Sequence, residues 1–234
     1  MTEQGTLFGV GVGPGDPKLM TIKAGEVIRD ADVLAYPVNG SGESHARSIA
    51  APIIEASASE LPIHLPMKVE REPAQNAYDN AATGIRHHLD EGRDVAYLCV
   101  GDPLFYGSFM YIAARLGSTQ PIEVVPGITS LSACAALTRT PLAGRNDILS
   151  VVPATLDETA LAAALGRADT AAIIKVGRHF EKVRRLLHVL GMAGRAVVVE
   201  NGTADGERIT PLEDIHQDTQ PYFSTILLRR EEVK

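Results

Sequence analysis

The chain has 234 residues, 45% of them hydrophobic and 22% charged, with a net charge of −7. At ~150 residues per domain this length falls between one and two domains, enough to bury a core without disulfide or metal staples. The mix excludes a largely disordered chain, and no apolar run approaches the ~20 residues that span a bilayer. The first six residues show no basic region leading into an apolar stretch, so no secretory signal is expected. The acidic balance argues against a nucleic-acid partner, and 5% aromatic residues without a Trp argue against base-stacking platforms. A local basic pocket for a small anionic ligand stays open. Cys99 and Cys134 both lie in apolar runs, which predicts buried free thiols in a reducing cytoplasm.

Strand-like and helix-like segments alternate along the chain. Residues 7–12 form a short apolar run that ends in glycines, and residues 22–29 read as a helix before a second run at 33–36. A long helix is predicted from Pro73 to the C-cap residue Gly92. Between them Ala74, Ala77, Tyr78, Ala81, Ile85 and Leu89 recur at helical spacing. His87 and His88 fall at its end, where the helix dipole favours positive charge; this reads as a solvated terminus rather than a metal site. Residues 95–100 are nearly all apolar, as in a strand covered on both faces. Runs at 122–125, 148–152, 172–176, 196–200 and 222–228 continue the pattern. The alternation predicts an α/β protein of two domains with largely parallel sheets. The stretch 117–126 is the candidate boundary, giving domains 1–118 and 119–234.

Five loops at predicted strand ends are rich in glycine. The first is Gly9-Val10-Gly11-Val12-Gly13-Pro14-Gly15-Asp16-Pro17. It fails the dinucleotide fingerprint, because the sixth position counted from Gly9 is Pro14 and from Gly11 is Asp16. No frame supplies the Gly-Lys of a phosphate loop, and Pro14 and Pro17 block immediate entry into a helix. The loop is rigid and closely approaching, but not built for phosphate. The second, Gly101-Asp102-Pro103-Leu104-Phe105-Tyr106-Gly107-Ser108, follows the most apolar strand. Asp102 there sits where open α/β sheets place ligands, or caps the helix that follows. The others are Val125-Pro126-Gly127-Ile128-Thr129-Ser130, Lys175-Val176-Gly177-Arg178 and Glu200-Asn201-Gly202-Thr203. Loops drawn from both halves predict a cleft between two domains.

Taken in order, the first three loops resemble the motifs of the tetrapyrrole methylases, and the resemblance runs over residues 7–228. It implies two α/β domains with S-adenosylmethionine in the cleft between them, in a homodimer. Within that family the run 101–111, residues 73–77, Ser132-Ala133-Cys134, Lys175-Val176-Gly177-Arg178 and Pro221-Tyr222-Phe223-Ser224 are similar to the branch that methylates carbon 20 of precorrin-2 in cobalamin synthesis. The uroporphyrinogen-III branch carries an Asp after the tyrosine of its second strand, whereas Pro37 follows Tyr36 here. Glu200-Asn201-Gly202-Thr203, in contrast, is closer to the uroporphyrinogen branch.

The implied chemistry moves a methyl group from a sulfonium to an electron-rich ring carbon, which asks for alignment more than for a strong base. No nucleophile–base pair and no metal-ligand spacing is visible, in keeping with that, and the catalytic residues stay unassigned. By resemblance, backbone groups of Pro14, Gly101, Asp102, Phe105, Thr129, Ser130, Val176, Gly177 and Gly202 hold the cofactor. The tetrapyrrole carries many carboxylates, for which Arg47, Lys68, Arg71, Arg139 and Arg178 are candidate partners. The same reaction on a cobalt-loaded ring, and a cleft that binds a nucleotide-like ligand without catalysis, are the competing readings.

Overall fold

The structure, a computed structural model, describes residues 4–65 and 71–229. The chain divides into two compact units, Met1–Thr129 and Ser130–Lys234.

In the first unit five strands form one sheet. They are β1 (Leu7–Gly11), β2 (Val33–Val38), β3 (Ser59–His64), β4 (Val95–Cys99) and β5 (Ile122–Val125), in the order β3-β2-β4-β1-β5. Every pairing is parallel. The helices are α1 (Ile22–Asp30), α2 (His45–Ala50), α3 (Arg71–Asp90) and α4 (Phe109–Leu116). The three inner strands β2, β4 and β1 are apolar on both sides because both sides are covered. Leu34, Tyr36, Ala96 and Leu98 pack with Ala24 and Ile28 of α1 and Ala46 and Ile49 of α2. Val33, Ala35, Val95 and Tyr97 point the other way, into a core with Ala81, Ile85 and Leu89 of α3 and Ile112 of α4. Gly9 is a glycine because Phe109 lies across it: a Cβ there would sit 2.6 Å from the Phe109 ring.

The predicted helix appears as α3, with Ala81, Ile85 and Leu89 of its apolar stripe buried and Gly92 at φ 79 behind it. It starts at Arg71, so Pro73 falls within the first turn, where no intrahelical donor is lost. The alternation of apolar runs does not predict β3, which carries Pro62 and lies at the sheet edge. The expected boundary between residues 118 and 119 also needs correction. It would separate β5 from the sheet in which β5 pairs with β1, and the division falls instead after Thr129.

The second unit holds β6 (Leu149–Pro153), β7 (Thr170–Ile174), β8 (Ala196–Glu200), β9 (Arg208–Pro211) and β10 (Ser224–Arg229), in the order β6-β7-β10-β8-β9. Here the expectation of a parallel sheet fails. β6 and β7 are parallel, but β10 runs antiparallel to both β7 and β8, and β9 is antiparallel to β8. Parallel neighbours need a crossover, usually a helix, and no α-helix lies between β8 and β10. The remaining helices are α5 (Ser130–Thr138), which packs on β10, α6 (Glu158–Gly166) and α7 (Phe180–Val189). Leu161, Leu165, Phe180, Val183 and Leu187 from α6 and α7 close the core over Ile173 and Ile226. Among the described residues no helix is long and apolar enough to cross a membrane.

Candidate functional site

Parallel pairing puts the carboxyl ends of β1, β4 and β5 on one edge of the first sheet, with Gly11 opposite Cys99 and Val10 opposite Val125. The first three glycine loops therefore emerge side by side, where open parallel sheets bind ligands. Gly13 and Gly101 extend the pairing beyond the strands. The Gly101 amide donates to the Gly13 carbonyl at 2.7 Å, and the Gly13 amide donates back at 3.3 Å. Both have positive φ, 83° and 71°, a region that favours glycine.

The glycines differ in what they leave room for. A Cβ on Gly127 would sit 2.0 Å from the Gly101 carbonyl oxygen and 2.8 Å from the Gly11 Cα, so three backbones meet there. A Cβ on Gly101 would meet nothing closer than 3.9 Å. Gly127 is thus the packing glycine, although only its loop, not the residue itself, was singled out among the candidates. A Cβ on the buried Gly101 would make only ordinary contact with the Ile128–Thr129 backbone, so its positive φ rather than crowding is what favours glycine there.

Asp102 does not cap a helix. Its Oδ1 accepts from the Leu104 amide at 2.9 Å, and its Oδ2 accepts from the Gly127 amide at 3.0 Å. The carboxylate shapes its own loop and ties it to the next. Phe105, half-buried, stands edge-on to Tyr106 at 5.1 Å, and Tyr106 has φ 58. Pro14 lies in the first loop just beyond the Gly13–Gly101 bridge, and Thr129 in the third just beyond Gly127. The first loop enters no helix directly. Asp16 caps a single 3-10 turn, and α1 starts at Ile22 under a Thr21 cap, whose Oγ1 accepts from Ala24 at 3.2 Å. Ser130 opens α5 and is exposed.

In the second unit Val176, Gly177 and Gly202 also share one edge, at the carboxyl ends of β7 and β8 beside the start of β10. The Asn201 amide donates to Phe223 at 2.8 Å, and the Gln220 amide donates to Gly177 at 3.2 Å. Lys175, Asn201 and Thr203 have positive φ there (56°, 47° and 67°), an uncommon state for residues with a Cβ. Gly202 is also a packing glycine, with Val199, Leu137 and the Cys134 sulfur 3.1–3.4 Å from where a Cβ would be.

Arg47 is committed to Glu60: its Nε donates to Oε2 at 3.0 Å and its Nη2 to Oε1 at 2.9 Å, while the Tyr36 hydroxyl also donates to Oε2. A forked guanidinium already paired with a carboxylate is a poor partner for a second one. Arg139, at φ 53 just past α5, and Arg178, beside His179, are both exposed. Lys68 lies outside the described residues, and Arg71 opens α3, where no side chain is described.

Both cysteines are free and buried. Burial pushes the Cys99 thiol up to about 12 and the Cys134 thiol up to about 11, so neither is a nucleophile near neutral pH. Among the described residues no group of three or more His, Cys, Asp or Glu is placed to hold a metal ion.

A precorrin-2 C(20)-methyltransferase from Sinorhizobium sp is 40% identical over 232 residues, covering 96% of this chain and 95% of that one. A cobalt-precorrin-2 C(20)-methyltransferase from Salmonella typhimurium is 29% identical and covers 97% of both chains. The crystal structure of uroporphyrin-III C-methyl transferase from Thermus thermophilus, complexed with S-adenyl homocysteine, shares the fold. Its TM-score is 0.70 at 23% identity, over 97% of this chain and 98% of that one. The family profile of the Tetrapyrrole (Corrin/Porphyrin) Methylases matches residues 6–216, which includes all five glycine loops. With its motif loops set along the carboxyl ends of their strands, the chain belongs to the tetrapyrrole (corrin/porphyrin) methylases.

Proposed function

We propose that this protein is an S-adenosylmethionine-dependent methyltransferase that methylates carbon 20 of precorrin-2 in cobalamin biosynthesis. The observation that carries this reading is the 40% identity to a precorrin-2 C(20)-methyltransferase along nearly the whole of both chains. The cobalt-loaded ring is the second reading, favoured by the Salmonella relative.

The first-unit strand ends suit such a cofactor. They offer backbone amides and carbonyls instead of a charged cradle, and Gly13 and Gly101 pair there at positive φ. When bound, S-adenosylmethionine supplies an electrophilic methyl group on a sulfonium. The chain's part is to hold the reactants in line, since a displacement of about 1 Å can cost ~100-fold in rate. Pro14, Gly101, Asp102, Phe105 and Thr129 are the proposed contacts in the first unit. Ser130, Val176, Gly177 and Gly202 are those in the second. Asp102 contributes its backbone, because its carboxylate is already engaged. Arg139, Arg178, Lys68 and Arg71 are the proposed partners of the ring carboxylates. We place the reaction in the cytoplasm, in keeping with two buried free thiols, and in a homodimer, in keeping with the family resemblance.

The test is transfer of labelled methyl to metal-free and to cobalt-loaded precorrin-2, with calorimetry of S-adenosylhomocysteine binding alongside. Label at carbon 20 alone is expected, with one cofactor bound per chain. Cofactor binding without transfer to either ring would leave a binding module. Binding of NADH or ATP in place of S-adenosylhomocysteine would end the methylase reading.

A further inference from the structure

Tyr97 is a buried residue with no solvent exposure in the middle of β4, whose other residues are all apolar. Phe would fill the same space, and a buried hydroxyl costs free energy unless it is bonded. The Tyr97 hydroxyl lies 2.9 Å from Ser108 Oγ. Ser108 precedes α4, yet its side chain makes no helix-capping hydrogen bond. The pair therefore joins the strand before the second glycine loop to the last residue of that loop.

The loop between them is closed tightly. A Cβ on Gly107 would sit 2.6 Å from the Pro103 carbonyl oxygen, and Tyr106 is held at φ 58. A residue with a side chain stays in that region only when its surroundings fix it there. The Asp102 carboxylate holds the entry of the loop, and the Tyr97–Ser108 contact holds its exit.

We infer that Tyr97 and Ser108 are positioning residues for the cofactor, which act by fixing the 101–108 loop rather than by touching the ligand. The inference rests on the assignment of that loop to S-adenosylmethionine. Ser108→Ala and Tyr97→Phe should each weaken S-adenosylhomocysteine binding about fivefold, the loss of one net hydrogen bond. The KM for S-adenosylmethionine should rise with it, while the KM for the tetrapyrrole stays as in the wild type. Ser108→Thr, which keeps a hydroxyl, should restore wild-type affinity. The double variant should bind no more weakly than the weaker single one, because the two groups act through one contact. Ser108→Ala lies at a half-buried helix start and tests the idea even if Tyr97→Phe folds poorly. Variants that melt earlier but bind S-adenosylhomocysteine as tightly as wild type would overturn the inference, since the contact would then be structural only. A wild-type protein that binds no S-adenosylhomocysteine would instead overturn the cofactor assignment, and this inference with it.

Discussion

Asp102 Oδ2 accepts a hydrogen bond from the Gly127 amide at 3.0 Å, across 25 residues of sequence. The contact joins the loop after β4 to the loop after β5, on either side of the loop after β1. Its other oxygen accepts from Leu104 at 2.9 Å, so one carboxylate fixes two backbone amides. Only an acceptor on both sides of the carboxyl carbon can do this. An amide has one oxygen and a donating nitrogen, and the nitrogen would face an N–H. Asp102→Asn should therefore lower stability by about 1–3 kcal/mol, the cost of one partly buried donor left unpaired. Chemical denaturation of the two proteins reads this directly. An unchanged midpoint would mean that the loops are held together by packing alone.

The glycines of these loops should separate folding from binding. At Gly127 a Cβ meets backbone at 2.0 and 2.8 Å, and backbone cannot rotate away. Gly127→Ala should cost about 2 kcal/mol or more, as overpacking does. Gly101→Ala meets no atom within 3.9 Å, and its penalty is the positive φ of 71°, about 1 kcal/mol. Its larger effect should be on the ligand, with S-adenosylhomocysteine affinity down at least about tenfold, the effect of ~1.4 kcal/mol of lost binding. A melting curve and a calorimetric titration of each variant check the contrast. Equal loss of binding and stability in both would refute it.

The sequence made this edge legible because apolar strands that stop at glycines report both a buried sheet and a close backbone approach. Eight of the ten strands among the described residues are readable for that reason. β3 and β9 are not, since each carries a proline and lies at a sheet edge, where hydrophobic pattern is weak. The reversed direction of β10 depends on the connection from β9, which local pattern does not encode. The roles of the glycines were legible only in part. Gly101 and Gly127 look alike in sequence, yet a Cβ would make ordinary contact at the first and clash with backbone at the second. Long-range partners were the least visible. Glu60 for Arg47 and Ser108 for Tyr97 carry no periodic signal; a lone Tyr in an apolar run was the one available hint for the second pair.

The Arg47–Glu60–Tyr36 cluster predicts a pH dependence. The Arg47 guanidinium first, and the Tyr36 hydroxyl second, hold the Glu60 carboxyl below the usual carboxylate range. A depressed value in the folded state means stability that is present above the ordinary Glu pKa and lost as pH falls through the folded value. Glu60→Gln should therefore melt earlier than wild type at pH 7, and the gap should narrow in acid. The Arg47 side chain is 41% exposed, so the expected gap is modest, about 2 °C. Thermal melts at neutral and acid pH decide it, and a gap that widens in acid would show that the cluster is not held by the ionised carboxylate.

The same cluster moves the search for the ring carboxylates elsewhere. Arg47 gives two donors to Glu60, so its removal should read as lost stability, with little change in the KM for the tetrapyrrole. Arg139 and Arg178 are both exposed; Arg178 is next to Gly177, and Arg139 follows the far end of the helix that Ser130 opens. Arg178→Ala and Arg139→Ala should each raise the KM for the tetrapyrrole about three- to tenfold, the range of a charge-assisted hydrogen bond of roughly 1 kcal/mol, and leave S-adenosylhomocysteine affinity within about twofold. Lys in place of Arg178 keeps the charge but not the two-pronged geometry, and should recover only part of the loss. Steady-state kinetics with each substrate varied in turn separate these effects. If Arg178→Ala and Arg139→Ala both keep the wild-type KM, the carboxylates are bound elsewhere, and Lys68 and Arg71 become the residues to replace.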